Sequence, residues 1–157
     1  MRIGIIVHSQ TGHTFSVAEK LQEKLSAAGH TVDLERLQTV GEAKLGAKVN
    51  FEALPDIGTY DALVFGAPVQ AFSLSSVMQV YLGQITAVQG KRVAFLVTQQ
   101  SPFSWMGGTR ALRQFRNANG LRGAVFCGTG LVNWSKAGRE QQINDVVKNL
   151  SQQLCPK

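Results

Sequence analysis

Between His8 and Phe15 the chain reads His8-Ser9-Gln10-Thr11-Gly12-His13-Thr14. Three hydroxyls and a glycine are spaced as Ser-x-Thr-Gly-x-Thr. They stand between an apolar run and a segment of helical periodicity. A helix N-terminus offers unpaired backbone N–H groups and partial positive charge, so it can hold an anion such as phosphate without Lys or Arg. Ser9, Thr11 and Thr14 add hydroxyl donors, and Gly12 lets the backbone approach an oxygen closely. A plain helix cap needs only one such residue. The Lys of a Walker A loop and the Gly-x-Gly-x-x-Gly of a dinucleotide site are both absent. His13 adds positive charge only when protonated, and an imidazole is largely neutral at pH 7.

Two further stretches carry polar and aromatic groups without charge. One is Ala67-Pro68-Val69-Gln70-Ala71-Phe72. The other is Thr98-Gln99-Gln100-Ser101-Pro102-Phe103-Ser104-Trp105-Met106-Gly107-Gly108. Phe72, Phe103 and Trp105 offer faces on which a planar ring can stack. Gln70, Gln99 and Gln100 offer amide hydrogen bonds, and Gly107 and Gly108 allow close approach. No Asp, Glu, Lys or Arg occurs from Ala62 through Gly90, nor from Val93 through Thr109. No nucleophile elbow is present, no His, Asp and Glu set has metal-ligand spacing, and no side chain is assigned as a catalytic acid or base.

These loops need a scaffold. Ile3–Val7, Ala62–Gly66, Val93–Val97 and Ala124–Cys127 are near-continuous apolar runs, the pattern of strands covered on both faces. Thr31–Leu37 alternates, as an edge strand does. Helical stripes lie between them: Val17, Ala18, Leu21 and Leu25, stopped at Gly29; Val77, Met78, Tyr81, Leu82 and Ile85; Leu112 and Phe115 after Gly107-Gly108; and Ile143, Val146, Val147, Leu150 and Leu154. The weakly patterned stretch 38–60 is expected to hold a fifth helix and then a loop through Pro55-Asp56. The 157 residues suit one domain, 1–157. Strands alternating with helices predict a three-layer α/β fold, a doubly wound five-stranded parallel sheet in the order 2-1-3-4-5. Ligands of such sheets bind beyond the carboxyl ends of the strands, where the three loops above converge.

Here the chain resembles the flavodoxin family. Ser9-Gln10-Thr11-Gly12-His13-Thr14 matches that family's FMN phosphate loop at its fixed positions. Pro55-Asp56-Ile57 and Tyr60 through Pro68 look like its approach to the third strand, and the uninterrupted last strand is that of short-chain members. The resemblance implies a flavodoxin-like fold with FMN as cofactor. Its site would comprise Ser9, Gln10, Thr11, Gly12, His13 and Thr14 at the phosphate. Pro68, Val69, Gln70, Ala71, Phe72, Thr98, Gln99, Gln100, Phe103, Trp105, Gly107 and Gly108 would surround the ring. The Tyr that commonly covers the ring in the family's electron carriers is missing. Trp105-Met106-Gly107-Gly108 is instead similar to flavodoxin-like quinone reductases. Three functional classes stay open: a one-electron carrier docking on redox partner proteins, an enzyme using NAD(P)H to reduce a small acceptor such as a quinone, and a non-redox module using the loop for another ligand.

The remaining features bound the partners. The net charge is +6, but the sixteen Lys and Arg are scattered, which argues against a nucleic-acid role. Arg110, Arg113 and Arg116 recur at i, i+3, i+6 beside the proposed ring loop, where an anionic cosubstrate or an acidic partner would meet them. The uncharged segment 73–85, read as a helix, is expected to offer a face for a second copy. No apolar run approaches the roughly 18 residues of a membrane span, and the chain is expected to be cytoplasmic. Cys127 reads as a small core residue and Cys155 as a free surface thiol.

Overall fold

A computed structural model describes residues 1–41 and 48–155. In chain order the elements are β1 (Arg2–Val7), α1 (His13–Ala27), β2 (Thr31–Arg36), β3 (Gln38–Thr39), β4 (Phe51–Ala53), β5 (Ala62–Gln70) and β6 (Ser73–Leu74). Then follow α2 (Ser76–Gln84), β7 (Arg92–Gln99), α3 (Gly108–Arg116), a 3-10 turn at Asn119–Leu121, β8 (Val125–Asn133) and α4 (Arg139–Leu154). The main sheet has six strands rather than the expected five: β2-β1-β5-β7-β8, every neighbouring pair parallel, and β6, which pairs antiparallel with β5. This is the predicted doubly wound order.

The continuous apolar runs are explained by two cores, one on each face of the sheet. Ile3, Ile5 and Val7 of β1 join Val17, Leu21, Ile143 and Leu150 beneath α1 and α4. Ile6, Phe65 and Phe95 join Val77, Tyr81, Ala111 and Phe115 beneath α2 and α3. Both faces of β1, β5 and β7 are dry, so polar alternation there would strand unsatisfied groups. Each fully buried Leu, Ile or Phe contributes roughly 1.5–3 kcal/mol relative to exposure. Phe95 stacks on Phe115 with ring centroids 4.8 Å apart, pinning α3 to β7.

Four expectations need correction. In place of a helix over 38–60, the described residues form the antiparallel ribbon β3–β4, and 42–47 lie outside the described residues. The helix expected from Ser73 starts at Ser76. Ser73–Leu74 instead fold back on Val69–Gln70 as a hairpin. Its turn holds Ala71 (φ 48°) and Phe72 (φ 63°) in the left-handed region. That suits the twist of a tight hairpin, but it is strained for side chains as large as Phe. α2 exposes Gln79, Gly83 and Gln84, and the two glutamine amides solvate it. Cys127 is not a core residue: β8 is the edge strand, and Cys127 is half-buried there, as is Cys155. Burial raises the Cys155 thiol above its ordinary pKa. Among the described residues no helix is long and apolar enough to cross a membrane.

Candidate cofactor site

At the carboxyl edge of the sheet, the ends of β1, β5 and β7 face one another across a groove. Gly12, with φ 89°, ends the loop and caps α1. Such a φ costs glycine nothing and most other residues about 1 kcal/mol or more. It turns the backbone so that successive amides face outward. The amides of Thr11, Gly12, His13 and Thr14 have no hydrogen-bond partner among the described residues. Ser9 Oγ accepts from the Phe15 amide at 3.3 Å, and so does the work of the cap's side chain. Thr14 is buried, its Oγ1 2.7 Å from Thr98 Oγ1, and this hydroxyl pair fastens the α1 end of the loop to β7. Arg36 at the end of β2 donates to the Ser9 carbonyl, and its guanidinium lies 5.8 Å from the Phe15 ring centroid.

A cavity of about 140 Å³ lies between the loops, lined by Gln10, Thr11, His13, Thr14, Pro68, Val69, Gln70, Thr98, Gln99 and Gln100. No carboxylate, Lys or Arg is among them. Gln70 Nε2 donates to Gln10 Oε1 at 2.8 Å, which bridges the phosphate-type loop and the end of β5. The space is smaller than the ~300–1,000 Å³ of a typical small-molecule site, and the bridge narrows it. A larger cavity of about 760 Å³ lies at the opposite edge of the sheet, around Met1, Arg92 and Cys155. The convergent polar groups, however, are at the smaller one.

Gln99 is the most informative of the lining residues. It is buried, and its Nε2 donates to the Phe103 carbonyl at 2.7 Å. Its Oε1 is buried without a partner. A buried acceptor left unpaired costs about 1–3 kcal/mol, so a donor brought by a ligand is favoured there. Two glycines let the chain pack closely around it. A Cβ on Gly107, whose φ is 116°, would come within 2.7 Å of Val69 Cγ1 and 2.8 Å of Phe72 Cα, and one on Gly108 within 2.9 Å of Gln99 Oε1.

The remaining candidates lie around the groove rather than in its wall. Phe72, Phe103 and Trp105 are 60%, 54% and 77% exposed, and Phe103 and Trp105 stack on each other at 5.8 Å. Ala71 and Phe72 form the β5–β6 turn. His13 stacks on Trp134 at 3.9 Å, nearly parallel, and Arg139 covers the same indole at 4.5 Å. Partial burial, and then the Arg139 charge, lower the His13 pKa, so at pH 7 it contributes little positive charge.

Trp134, Asn133 and Gln142 were not read from the sequence as part of this region. Yet the Trp134 amide donates to the Gln99 carbonyl at 2.7 Å. Asn133 Nδ2 donates to the Ser101 carbonyl at 3.2 Å, and Gln142 accepts from the Asn133 amide. The end of β8 thus braces the loop after β7. The one available signal was the run of polar residues directly following an apolar strand.

His8 directly follows β1 and is 5% exposed, with Nδ1 2.9 Å from Ser75 Oγ. Burial, and then the Arg36 charge, push its pKa down to about 4. The unfolded imidazole protonates near 6.5. Below that pH the unfolded chain binds the extra proton, so the linked contribution to stability is lost as pH falls from about 6.5 to about 4 and changes no further below. The linked loss is expected to total up to about 3 kcal/mol. Thermal denaturation across this range checks it: His8→Gln should flatten the profile, and an unchanged profile would refute the assignment.

With this geometry established, comparison with known proteins decides the family. A profile of the NADPH-dependent FMN reductase family matches residues 1–139. The chain belongs to that family. Among its relatives, an NAD(P)H dehydrogenase (quinone) of Cupriavidus metallidurans is 26% identical over 157 residues. One of Paraburkholderia phymatum is 25% identical. Each alignment covers 95% of this chain, and the chain spans 65% of the length of these relatives. Among solved structures, a Streptococcus pneumoniae TIGR4 flavodoxin superposes with a TM-score of 0.71 at 17% identity, covering 98% of this chain and 97% of that one. A Lactobacillus acidophilus flavoprotein in complex with FMN superposes at 0.65 and 14% identity, covering 92% and 97%. The family member thus has a flavodoxin-like fold. Its orphaned amides and the unpaired Gln99 acceptor suit a ligand with phosphate at one end and N–H donors at the other.

Proposed function

We propose that this protein uses FMN, held at the carboxyl edge of the sheet, to pass reducing equivalents from NAD(P)H to a small quinone-type acceptor. The observation that carries the reading is the pairing of unpartnered donors at 11–14 with an unpartnered buried acceptor at Gln99, across a wall without formal charge. FMN when bound supplies the hydride and electron chemistry, and the protein's residues position it. The Thr11–Thr14 amides, aided by the Ser9 and Thr11 hydroxyls, hold the phosphate. Pro68, Val69, Gln70, Gln99 and Gln100 meet the polar edge of the ring. Phe72 and the Phe103–Trp105 pair form an aromatic rim over which a planar acceptor or a nicotinamide can lie. The names of the quinone dehydrogenase relatives support this acceptor class. The segment 73–85 remains the proposed contact for a second copy.

Stopped-flow mixing of the FMN-loaded protein with NADH and with NADPH tests the reading. Bleaching of the flavin band within the dead time to seconds, followed by reoxidation on adding a soluble quinone, is expected. A band that neither nicotinamide bleaches would instead make the protein an electron carrier reduced by another protein. A purified protein that ignores added FMN would leave only a non-redox use of the loop.

A further inference from the structure

The chain segregates its charges. From Ala62 through Arg139 there is no Asp or Glu, yet that stretch holds eight Lys and Arg and supplies β5, α2, β7, α3 and β8. The ion pairs among the described residues are Arg2–Asp33, Lys20–Glu140 and Arg139–Glu140. None involves α3. Arg110, Arg113 and Arg116 are all exposed. Among the described residues none of the three guanidinium groups has a hydrogen-bond or ion-pair partner. Arg110 and Arg113 line a cleft of about 410 Å³ with Gln79 of α2, and Arg116 lies 5.9 Å from the centroid of the exposed Phe126 ring.

This positive face is continuous with the rim of the groove. α3 opens at Gly108, which abuts Gln99, so Arg110 stands within one turn of the cofactor site. Phe72 and Trp105 project there, at 60% and 77% exposure. Aromatics and arginines are the residue types that dominate binding at protein interfaces. Like charges left unscreened by any neighbouring acid raise the rate of encounter with a negative partner.

We propose that the α3 arginines, together with Phe72 and Trp105, form a docking surface for an acidic electron-transfer protein. The proposal rests on the reading that flavin occupies the adjacent groove, because a protein partner exchanging electrons must dock within reach of it. A nucleic-acid surface would present its cations along a phosphate path. Here they turn through about 120° of the helix, from Arg110 beside the aromatic rim to Arg116 beside Phe126.

The probe is a plant-type [2Fe–2S] ferredoxin, an acidic protein, immobilised and read by surface plasmon resonance. Both FMN-loaded and FMN-free protein are used, at about 20 mM and about 300 mM salt. Saturable binding at low salt is expected, with association at least about tenfold slower at high salt. The triple change Arg110→Glu, Arg113→Glu, Arg116→Glu is expected to weaken binding by about tenfold or more. The milder Arg→Gln triple, which keeps helix propensity, should give a smaller loss in the same direction. The proposal is overturned if the parent protein shows no saturable binding, if both triple variants bind like the parent, or if duplex DNA or anionic vesicles bind more tightly than the ferredoxin. Because the FMN-free protein carries the same surface, failure of flavin loading leaves this readout intact and so separates the two ideas.

Discussion

A Gly12→Asp variant is expected to bind FMN about two to three orders of magnitude more weakly than the parent while keeping its affinity for riboflavin. Gly12 lies where the α1 amides point outward, and a Cβ there meets nothing within 4 Å. The new carboxylate therefore fits, and Asp tolerates its φ of 89° better than most residues. At an effective dielectric near 20, unit charges about 4 Å apart repel by ~4 kcal/mol, and surface screening removes part of that. Riboflavin lacks the phosphate and so escapes the repulsion. Fluorescence titration with both flavins checks the result. Equal weakening of the two would show that the loop acts by shape alone, and unchanged FMN affinity would move the phosphate elsewhere.

The second large effect is on folding. A Cβ on Gly120 would overlap the Leu82 carbonyl oxygen and come within 2.8 Å of Ile85 Cγ1. The first neighbour is backbone at the end of α2, so no rotamer change relieves the clash. Gly120→Val is expected to destabilise the protein by about 4 kcal/mol, at the high end for overpacking, and to lower Tm by roughly 10 °C. Residues 119–121 precede β8 at the amino edge of the sheet, remote from the groove. The folded fraction should therefore keep its FMN affinity. Calorimetry showing a change of under about 1 kcal/mol would mean that the 3-10 turn moves away from α2 freely.

The fold was largely legible because its strands are buried on both faces. Ile3–Val7, Ala62–Gly66 and Val93–Val97 can be nothing but covered strands in a chain of this length. The limits of that signal are also physical. β5, β7 and β8 run on to Gln70, Gln99 and Asn133, where the side chains turn polar because Gln70 and Gln99 line the groove and Asn133 braces the loop after β7. The hairpin at Ala71–Phe72 carries neither Gly nor Asn, so its turn chemistry left no mark. Cys127 looked like core because its neighbours are apolar, but an edge strand has a covered neighbour on one side only. Ser9 through Thr14 could be proposed as an anion-holding loop from type and spacing, and the family resemblance supplied FMN as the proposed occupant. The support from Trp134 and Asn133 could not, because it arises from segments more than thirty residues away that only the sheet brings together.

The hydrogen bond from the Phe15 amide to Ser9 also bears on the life of the protein before it meets its vitamin-derived nucleotide. The opening turn of α1 is closed by the polypeptide's own hydroxyl, with no anion required. A newly made chain is therefore expected to reach its native shape colourless, with loading adding about 2.7 kcal/mol by mass action when free nucleotide is a hundredfold above Kd. The cell can accordingly hold a folded reserve whose active share rises and falls with the supply of the yellow nucleotide.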